Sequence, residues 1–232
     1  KCLLLKKYFS VGSKNKLKRF RENESFENVI QPNRNKLVSN ELSLKGKWKT
    51  NFFKNENPLV LELGCGKGEY AIYLAQSNPN INYIGVDIKG ARFWRGAKTA
   101  LETGLKNVAF LRTQIELIPF CFAEDEVHEI WITFPDPQIK YKRSKHRLTN
   151  PNFLKNYKRV LRQEGIIHLK TDSEFLFGYT LGMATNHVEI LYAHHDIYTN
   201  SDAPKEATEI KTSYEQKFLD QGKAITYIQF KL

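Results

Sequence analysis

The sequence predicts an α/β fold, a mostly parallel sheet with helices on both faces. Three observations carry that prediction. From Asn57 onward, apolar strand-like runs alternate with helix-like segments over short connections. The first run leads into a glycine-rich turn, Gly64-Cys65-Gly66-Lys67-Gly68. The second run ends on a carboxylate, Asp87.

Pro58 to Leu63 reads as a buried strand, and Glu69 to Gln76 as the helix after the glycine turn. Asn82 to Asp87 is a second strand, followed by a helix over about Ala91 to Thr103. Val108 to Arg112 and Val127 to Phe134 are the third and fourth strands. Asn150 with Pro151 behind it is a helix start, Asn as N-cap and Pro at the first position, for a helix running to Leu161. Gly165 to Lys170 is the fifth strand and Ser173 to Thr185 the next helix. Val188 to Ala193 and Ala224 to Phe230 complete seven strands, with a helix over Ser213 to Leu219 between them. No internal repeat is present, and no linker divides the chain. Residues 1–21 carry many Lys and Arg and no acid, and Gly12 to Lys16 reads as flexible. They are expected to form a basic N-terminal arm before a single domain over 22–232.

The 232 residues suffice for one domain with a proper core. The 36 Lys and Arg against 25 Asp and Glu give a net charge of +11, which favours polyanionic partners. No apolar run is long enough to span a bilayer, and Leu3 to Leu5 is too short for a signal-peptide core. Cys2, Cys65 and Cys121 match neither a disulfide framework nor a zinc site, so a reducing cytoplasm is expected. No metal is expected; His194 and His195 would face opposite ways on a strand.

Glycine permits positive φ and close approach of a ligand to the backbone, which suits Gly64, Gly66 and Gly68. A carboxylate at Asp87 can accept from both hydroxyls of a ribose. The pattern departs from the dinucleotide fingerprint, because Glu69 occupies the place of the third glycine in G-x-G-x-x-G. That acid would repel a pyrophosphate but favour the sulfonium and amine of S-adenosylmethionine, and Glu62 would act the same way. A tight turn with no ligand is the competing reading. Strand, "ELGCGKG" turn, helix and "GVD" resemble the class I methyltransferases.

The stretch "WITFPDPQIKYKRSKHRL" passes from an apolar strand to a dense basic segment through Phe134-Pro135-Asp136-Pro137. Ligands of open α/β sheets lie beyond the carboxyl ends of the strands, so Asp136 should overhang the pocket, confined by its two prolines. A carboxylate can accept from both N–H donors on the Watson–Crick edge of guanine. Lys140, Lys142, Arg143, Lys145 and Arg147 suit an RNA backbone, and Tyr141 offers a stacking face. The alternatives are a plain Pro-Asp-Pro turn and a solvated charge run.

"FPDP" with its basic loop, "RLTNPNFL", "SKNKLKRF", "HLKTD" and "TSYEQKF" together are similar to the tRNA (guanine-N7-)-methyltransferase family. The resemblance implies a seven-stranded class I fold with an antiparallel C-terminal strand. It implies transfer of a methyl group from S-adenosylmethionine to N7 of a guanine in the tRNA variable loop, guanine-46 in tRNA numbering. It implies Glu62, Asp87, Gln114 and Asp136 around the cofactor, with Asp136 catalytic. Lys140, Asp172, Thr212, Ser213, Tyr214 and Glu215 would contact the substrate. No membrane and no obligate protein partner are implied, and the state is monomer or homodimer. Thr212 and Glu215 also read as a capping box on the last helix. The family usually follows "FPDP" with Trp-Pro; this chain has Gln138-Ile139, so an aromatic platform is lost there. A small-molecule or protein methyltransferase, a non-catalytic RNA-binding protein and a dehydrogenase are the rival readings, and Glu69 disfavours the last.

Overall fold

The structure, a computed structural model, describes residues 15–184 and 188–232. Among them is one sheet of eight strands: β1 (Val29–Ile30), β2 (Leu59–Leu63), β3 (Asn82–Val86), β4 (Val108–Leu111), β5 (Val127–Thr133), β6 (Leu161–Thr171), β7 (Glu189–His194) and β8 (Thr226–Lys231). Their order is β1-β4-β3-β2-β5-β6-β8-β7. Pairings from β1 to β6 are parallel, and β8 runs antiparallel to both β6 and β7. The strand beyond the expected seven is β1, whose two residues extend the edge at β4 and are too few to show a period in the sequence.

The helices are α1 (Lys16–Ser25), α2 (Arg34–Val38), α3 (Glu69–Ser77), α4 (Gly90–Glu102), α5 (Ile118–Cys121), α6 (Pro151–Lys158), α7 (Glu174–Ala184), α8 (Lys205–Thr208) and α9 (Ser213–Leu219). Asn150 caps α6 as expected, its side chain accepting from Asn152 N–H. Thr185, expected at the end of α7, lies outside the described residues, as do residues 1–14 of the expected basic arm. From Lys16 the chain is helical: α1 lies on α4, Asn23 Nδ2 donates to Gly90 O at 2.9 Å, and Trp94 Nε1 donates to Glu22. Trp48, in a stretch with no visible period, is wholly buried in a π-helical turn over Trp48–Phe53, with its indole N–H on Cys121 O.

All five residues of β2 and of β3 are buried, because helices cover both faces of the sheet. Alternate residues therefore enter two cores. Leu61 and Leu63 join Ile84, Ile132, Tyr157 and Leu169 on one side, while Val60 joins Tyr70, Phe93, Phe110 and Trp131 on the other. On that second side, α3 and α4 approach closely through glycines. A methyl at Gly96 would stand 2.7 Å from Lys67 O and 2.9 Å from the Phe110 ring.

The strand order reverses between β2 and β5. The chain leaves β2 for β3 and β4 on one side, then returns to place β5 and β6 on the other. Ligands of open α/β sheets bind at such a switch point, beyond the carboxyl ends of the strands. The register pairs Glu62 with Trp131 and Leu63 with Ile132. The glycine turn after β2 and the Pro-Asp-Pro loop after β5 therefore leave the sheet side by side.

Gly96→Ala should destabilise the fold by about 1–3 kcal/mol through overpacking. In α7, Gly178→Ala meets nothing within 4 Å and should stabilise by about 0.5–1 kcal/mol. Urea unfolding of the two variants checks the contrast.

Candidate active site

Gly64, Gly66 and Gly68 all adopt left-handed φ, +74°, +57° and +74°. Gly64 and Cys65 N–H both donate to Val86 O, which sews the turn to β3. At Gly68 an added methyl would meet Phe110 at 2.5 Å, whereas at Gly66 the nearest atom is 3.9 Å away. Packing thus demands the glycine at 68, and the open backbone at 66 is the side a ligand can approach. Asp87 is buried just beyond β3 and braces this turn: Oδ2 accepts from Gly66 N–H at 3.0 Å and Oδ1 from Lys89 N–H at 2.8 Å.

Glu62 lies beneath the turn and is buried. Its Oε1 is 2.7 Å from Thr133 Oγ1 on β5, and its Oε2 accepts from Ala71 N–H on α3 at 2.9 Å. Burial pushes its pKa up to about 8, against the pull of these two hydrogen bonds, and the neighbouring Asp87 and Glu69 raise it further. An open glycine turn flanked by the Asp87 carboxylate, with Glu62 kept neutral beneath it, suits a ligand whose ribose hydroxyls donate to Asp87 and disfavours a phosphate against that charge. The donor set therefore fits S-adenosylmethionine. Beyond the ends of β3 and β4 lies a cleft of about 330 Å³ lined by Ile88, Arg112, Thr113, Gln114, Leu117 and the segment Gln31 to Arg34. Gln114 is thus placed in a recess next to Asp87.

Glu69 turns away from the position the sequence suggested. Its carboxylate accepts from Ser213 N–H at 2.6 Å and from Ser213 Oγ at 2.7 Å, with Lys67 Nζ at 3.7 Å. It joins the start of α3 to the start of α9. Thr212 caps α9 as expected, accepting from Glu215 N–H. The other half of the expected capping box is absent. The Glu215 carboxylate is wholly buried, paired with Lys170 Nζ at 2.8 Å and accepting from Tyr198 OH at 2.6 Å. Lys170 also donates to Ile210 O, and burial draws its pKa down to about 8 against the attraction of Glu215. Glu215 is thus an anchor for α9, not a group open to substrate. Sequence reasoning missed Lys170, although "HLKTD" contains it; an apolar strand gives no sign that its lysine points inward.

The two anchors leave Tyr214 exposed between them, its ring edge-on to Phe134 at 5.6 Å. Burial, then the Asp172 and Asp136 carboxylates, raise the Tyr214 phenol, and Arg92 of α4 opposes them. Asp136 and Asp172 follow β5 and β6, so both leave the sheet at its carboxyl end, and their charges and that of Arg92 reach the Tyr214 phenol. Arg92 carried no sequence signal beyond being one more cation on a helix.

Asp136 is exposed, and its Oδ1 accepts from Gln138 N–H at 3.0 Å. Phe134 and Gln138 flank it with left-handed φ of +48° each. Such backbone costs a non-glycine residue of order 1–3 kcal/mol, so the surroundings must hold it. Lys140, Lys142, Arg143 and Lys145 are exposed around the short 3-10 helix Tyr141–His146. Arg147 corrects the expectation of an RNA contact. It is buried, donates to Gln138 O and Ile139 O at 3.2 and 3.3 Å, and lies over the Tyr179 and Phe175 rings of α7.

The raised Glu62 pKa sets a pH dependence. The folded state keeps a proton that the unfolded chain releases near pH 4.5, so stability falls as pH rises from about 4.5 to 8 and the loss is complete above 8. Glu62→Gln keeps one acceptor for Ala71 N–H and one donor for Thr133 but never ionises. Its unfolding free energy, measured by urea titration at pH 5, 6.5 and 8, should decline less than that of the wild type.

A family model described as a putative methyltransferase matches residues 56–228. A tRNA (guanine-N(7)-)-methyltransferase of Christiangramia forsetii is 69% identical over 96% of this chain and 100% of its own length. One of Bacteroides fragilis is 49% identical over 94% of this chain and 86% of its own. Among solved structures, an antibiotic-related methyltransferase superposes with a TM-score of 0.58 at 19% identity, over 78% of this chain and 90% of that one. A 16S rRNA methyltransferase, KamB, gives 0.57 at 15% identity, over 75% and 86%. Those two likenesses concern the fold alone. The sequence identities along nearly the whole length, joined to a methyltransferase sheet with its glycine turn at the switch point, make this chain a member of the tRNA (guanine-N(7)-)-methyltransferase family.

Proposed function

We propose that this enzyme methylates N7 of a guanine in the variable loop of tRNA, with S-adenosylmethionine as donor. The observation that carries the reading is the adjacency of two loops at the β2–β5 switch, one made for a cationic nucleoside and the other bearing Asp136 among exposed cations. Asp87 would hold the ribose, Gln114 and Ile88 would border the adenine, and the turn at Gly64 and Gly66, with Glu62 bracing it from beneath, would face the amino-acid portion. The bound cofactor supplies an electrophilic methyl on sulfur.

Guanine N7 carries an in-plane lone pair, so no base is needed to free it. The protein's work is to align the purine and to tolerate the positive charge that develops on it. Asp136 has one oxygen fixed by Gln138 N–H, and the other accepts from the guanine edge. Asp172 and Ser213 would border the same site, and Tyr214 lends a ring face. Lys140, Lys142, Arg143 and Lys145 engage phosphates, which set the register of the RNA. A net charge of +11 supports such a partner.

Unmodified tRNA incubated with labelled methyl donor should gain N7-methylguanine at one variable-loop position when its nucleosides are mapped. A methyl group found on no guanine, or on a different atom, rejects the proposal. Asp136→Ala should slow turnover by ~10² or more if fixed electrostatics is its contribution, and a near-normal rate removes it from the role. Changing Lys140, Lys142 and Lys145 together to Ala should weaken tRNA binding and flatten its salt dependence, with the log–log slope reduced by about 2–3. An unchanged slope would favour a small substrate instead.

A further inference from the structure

We propose that Gln138 is a positioning residue for Asp136, fixing the aspartate through a chain of contacts that starts at the Arg143 guanidinium. The inference rests on the reading of Asp136 as the group that holds the guanine. Gln138 follows the Pro-Asp-Pro turn directly, and three of its groups are engaged at once. Its N–H donates to Asp136 Oδ1 at 3.0 Å. Its carbonyl accepts from Arg147 Nε and Nη2, both at 3.2 Å. Its side-chain Oε1 accepts from Arg143 Nε at 2.6 Å.

The backbone shows why such a grip is needed. Gln138 has a φ of +48°, a conformation that glutamine rarely adopts. Relaxation toward negative φ would turn the Asp136 loop, with the Gln138 N–H it holds, against the carbonyl and side chain that the two arginines grip. Arg147 holds the carbonyl from below; it is buried, and its guanidinium lies 4.4 Å from the Tyr179 ring centroid and 4.8 Å from that of Phe175. Arg143 holds the side chain from the solvent side. The Arg147 contacts go to backbone atoms that any residue would supply. The Arg143 contact alone requires an acceptor at the end of the side chain.

The fork of a guanidinium lets this contact serve two purposes. Arg143 gives Nε to Gln138, and its two Nη groups can grip a phosphate at the same time. An RNA phosphate seated there would hold Arg143 still, and with it Gln138 and the rotamer of Asp136. Gln138 is then a polar strut between the basic turn and the carboxylate.

The test compares Gln138→Met and Gln138→Asn with Gln138→Glu. Met keeps the length and loses the acceptor; Asn suits left-handed φ but is too short to reach Arg143. Each is assayed for kcat and KM on tRNA transcript, for S-adenosylhomocysteine affinity by calorimetry, and for thermal midpoint. Both Met and Asn variants should lose kcat by about tenfold, as expected for a slightly misplaced group, with KM, ligand affinity and midpoint within about twofold or a few degrees of wild type. Gln138→Glu keeps an acceptor for Arg143 and should recover kcat to within about twofold. Full kcat in the Met or Asn variant, a loss confined to KM, or a Glu variant as slow as Met each overturns the proposal. A wild-type enzyme that methylates no guanine N7 sinks the proposed function itself, and the positioning role with it, which is a distinguishable result.

Discussion

Glu62 is the contact on which the site depends. A carboxylate buried this deeply is costly, and its raised pKa is the measure of that cost. What it does in return is structural. It joins β2 to β5 through Thr133 and both strands to α3 through Ala71, so it spans the point where the sheet reverses its order. The glycine turn and the Pro-Asp-Pro loop are separate stretches of chain, 70 or so residues apart, and this side chain sets the spacing between their roots. With Asp87 bracing the turn from the other flank, the backbone at Gly66 is held open before any ligand arrives.

The far wall of the site is fixed by a different device. α9 is too short to be stable alone, and it is fastened at both ends of its first turn. Glu69 takes Ser213 from the cofactor side, while Glu215 reaches down to a lysine on β6. A buried ion pair is poor evidence for stability, since apolar groups of equal volume do as well, but it is demanding about geometry. Breaking either partner leaves a lone charge in the core. Here that demand fixes where Tyr214 stands, against Phe134 at the root of the Asp136 loop. The glycine turn, α9 and the root of the Asp136 loop are tied into one frame by four acidic side chains, Glu62, Asp87, Glu69 and Glu215.

The parts of this arrangement written in local pattern were legible in the sequence. Strands buried on both faces show as continuous apolar runs, Asn150-Pro151 marks a helix start, and glycines at alternate positions after a strand mark a ligand turn. The resemblance to a known family supplied Gln114, Asp172 and the Thr212–Glu215 segment, which no periodicity singles out. The direction of side chains was not legible. Glu69, Lys170, Arg147 and Glu215 look alike in a sequence whether they face solvent or core, and here each is committed to a partner distant in the chain, Arg147 to the Tyr179 and Phe175 rings. Residues 28–53 hid their elements because β1 and α2 are shorter than any period needs to declare itself, and Trp48 is buried by tertiary packing rather than by an amphipathic stripe.

The central claim is spatial: a sulfonium nucleoside on the glycine turn and a purine on Asp136 meet across the β2–β5 switch. A crystal structure with S-adenosylhomocysteine and a tRNA fragment bound together measures this most directly. The account predicts the ribose hydroxyls on Asp87, the thioether sulfur between the glycine turn and Asp136, and guanine N7 facing that sulfur with its opposite edge on the carboxylate. A ligand bound away from Gly66, or a guanine that leaves Asp136 in open solvent, would contradict it.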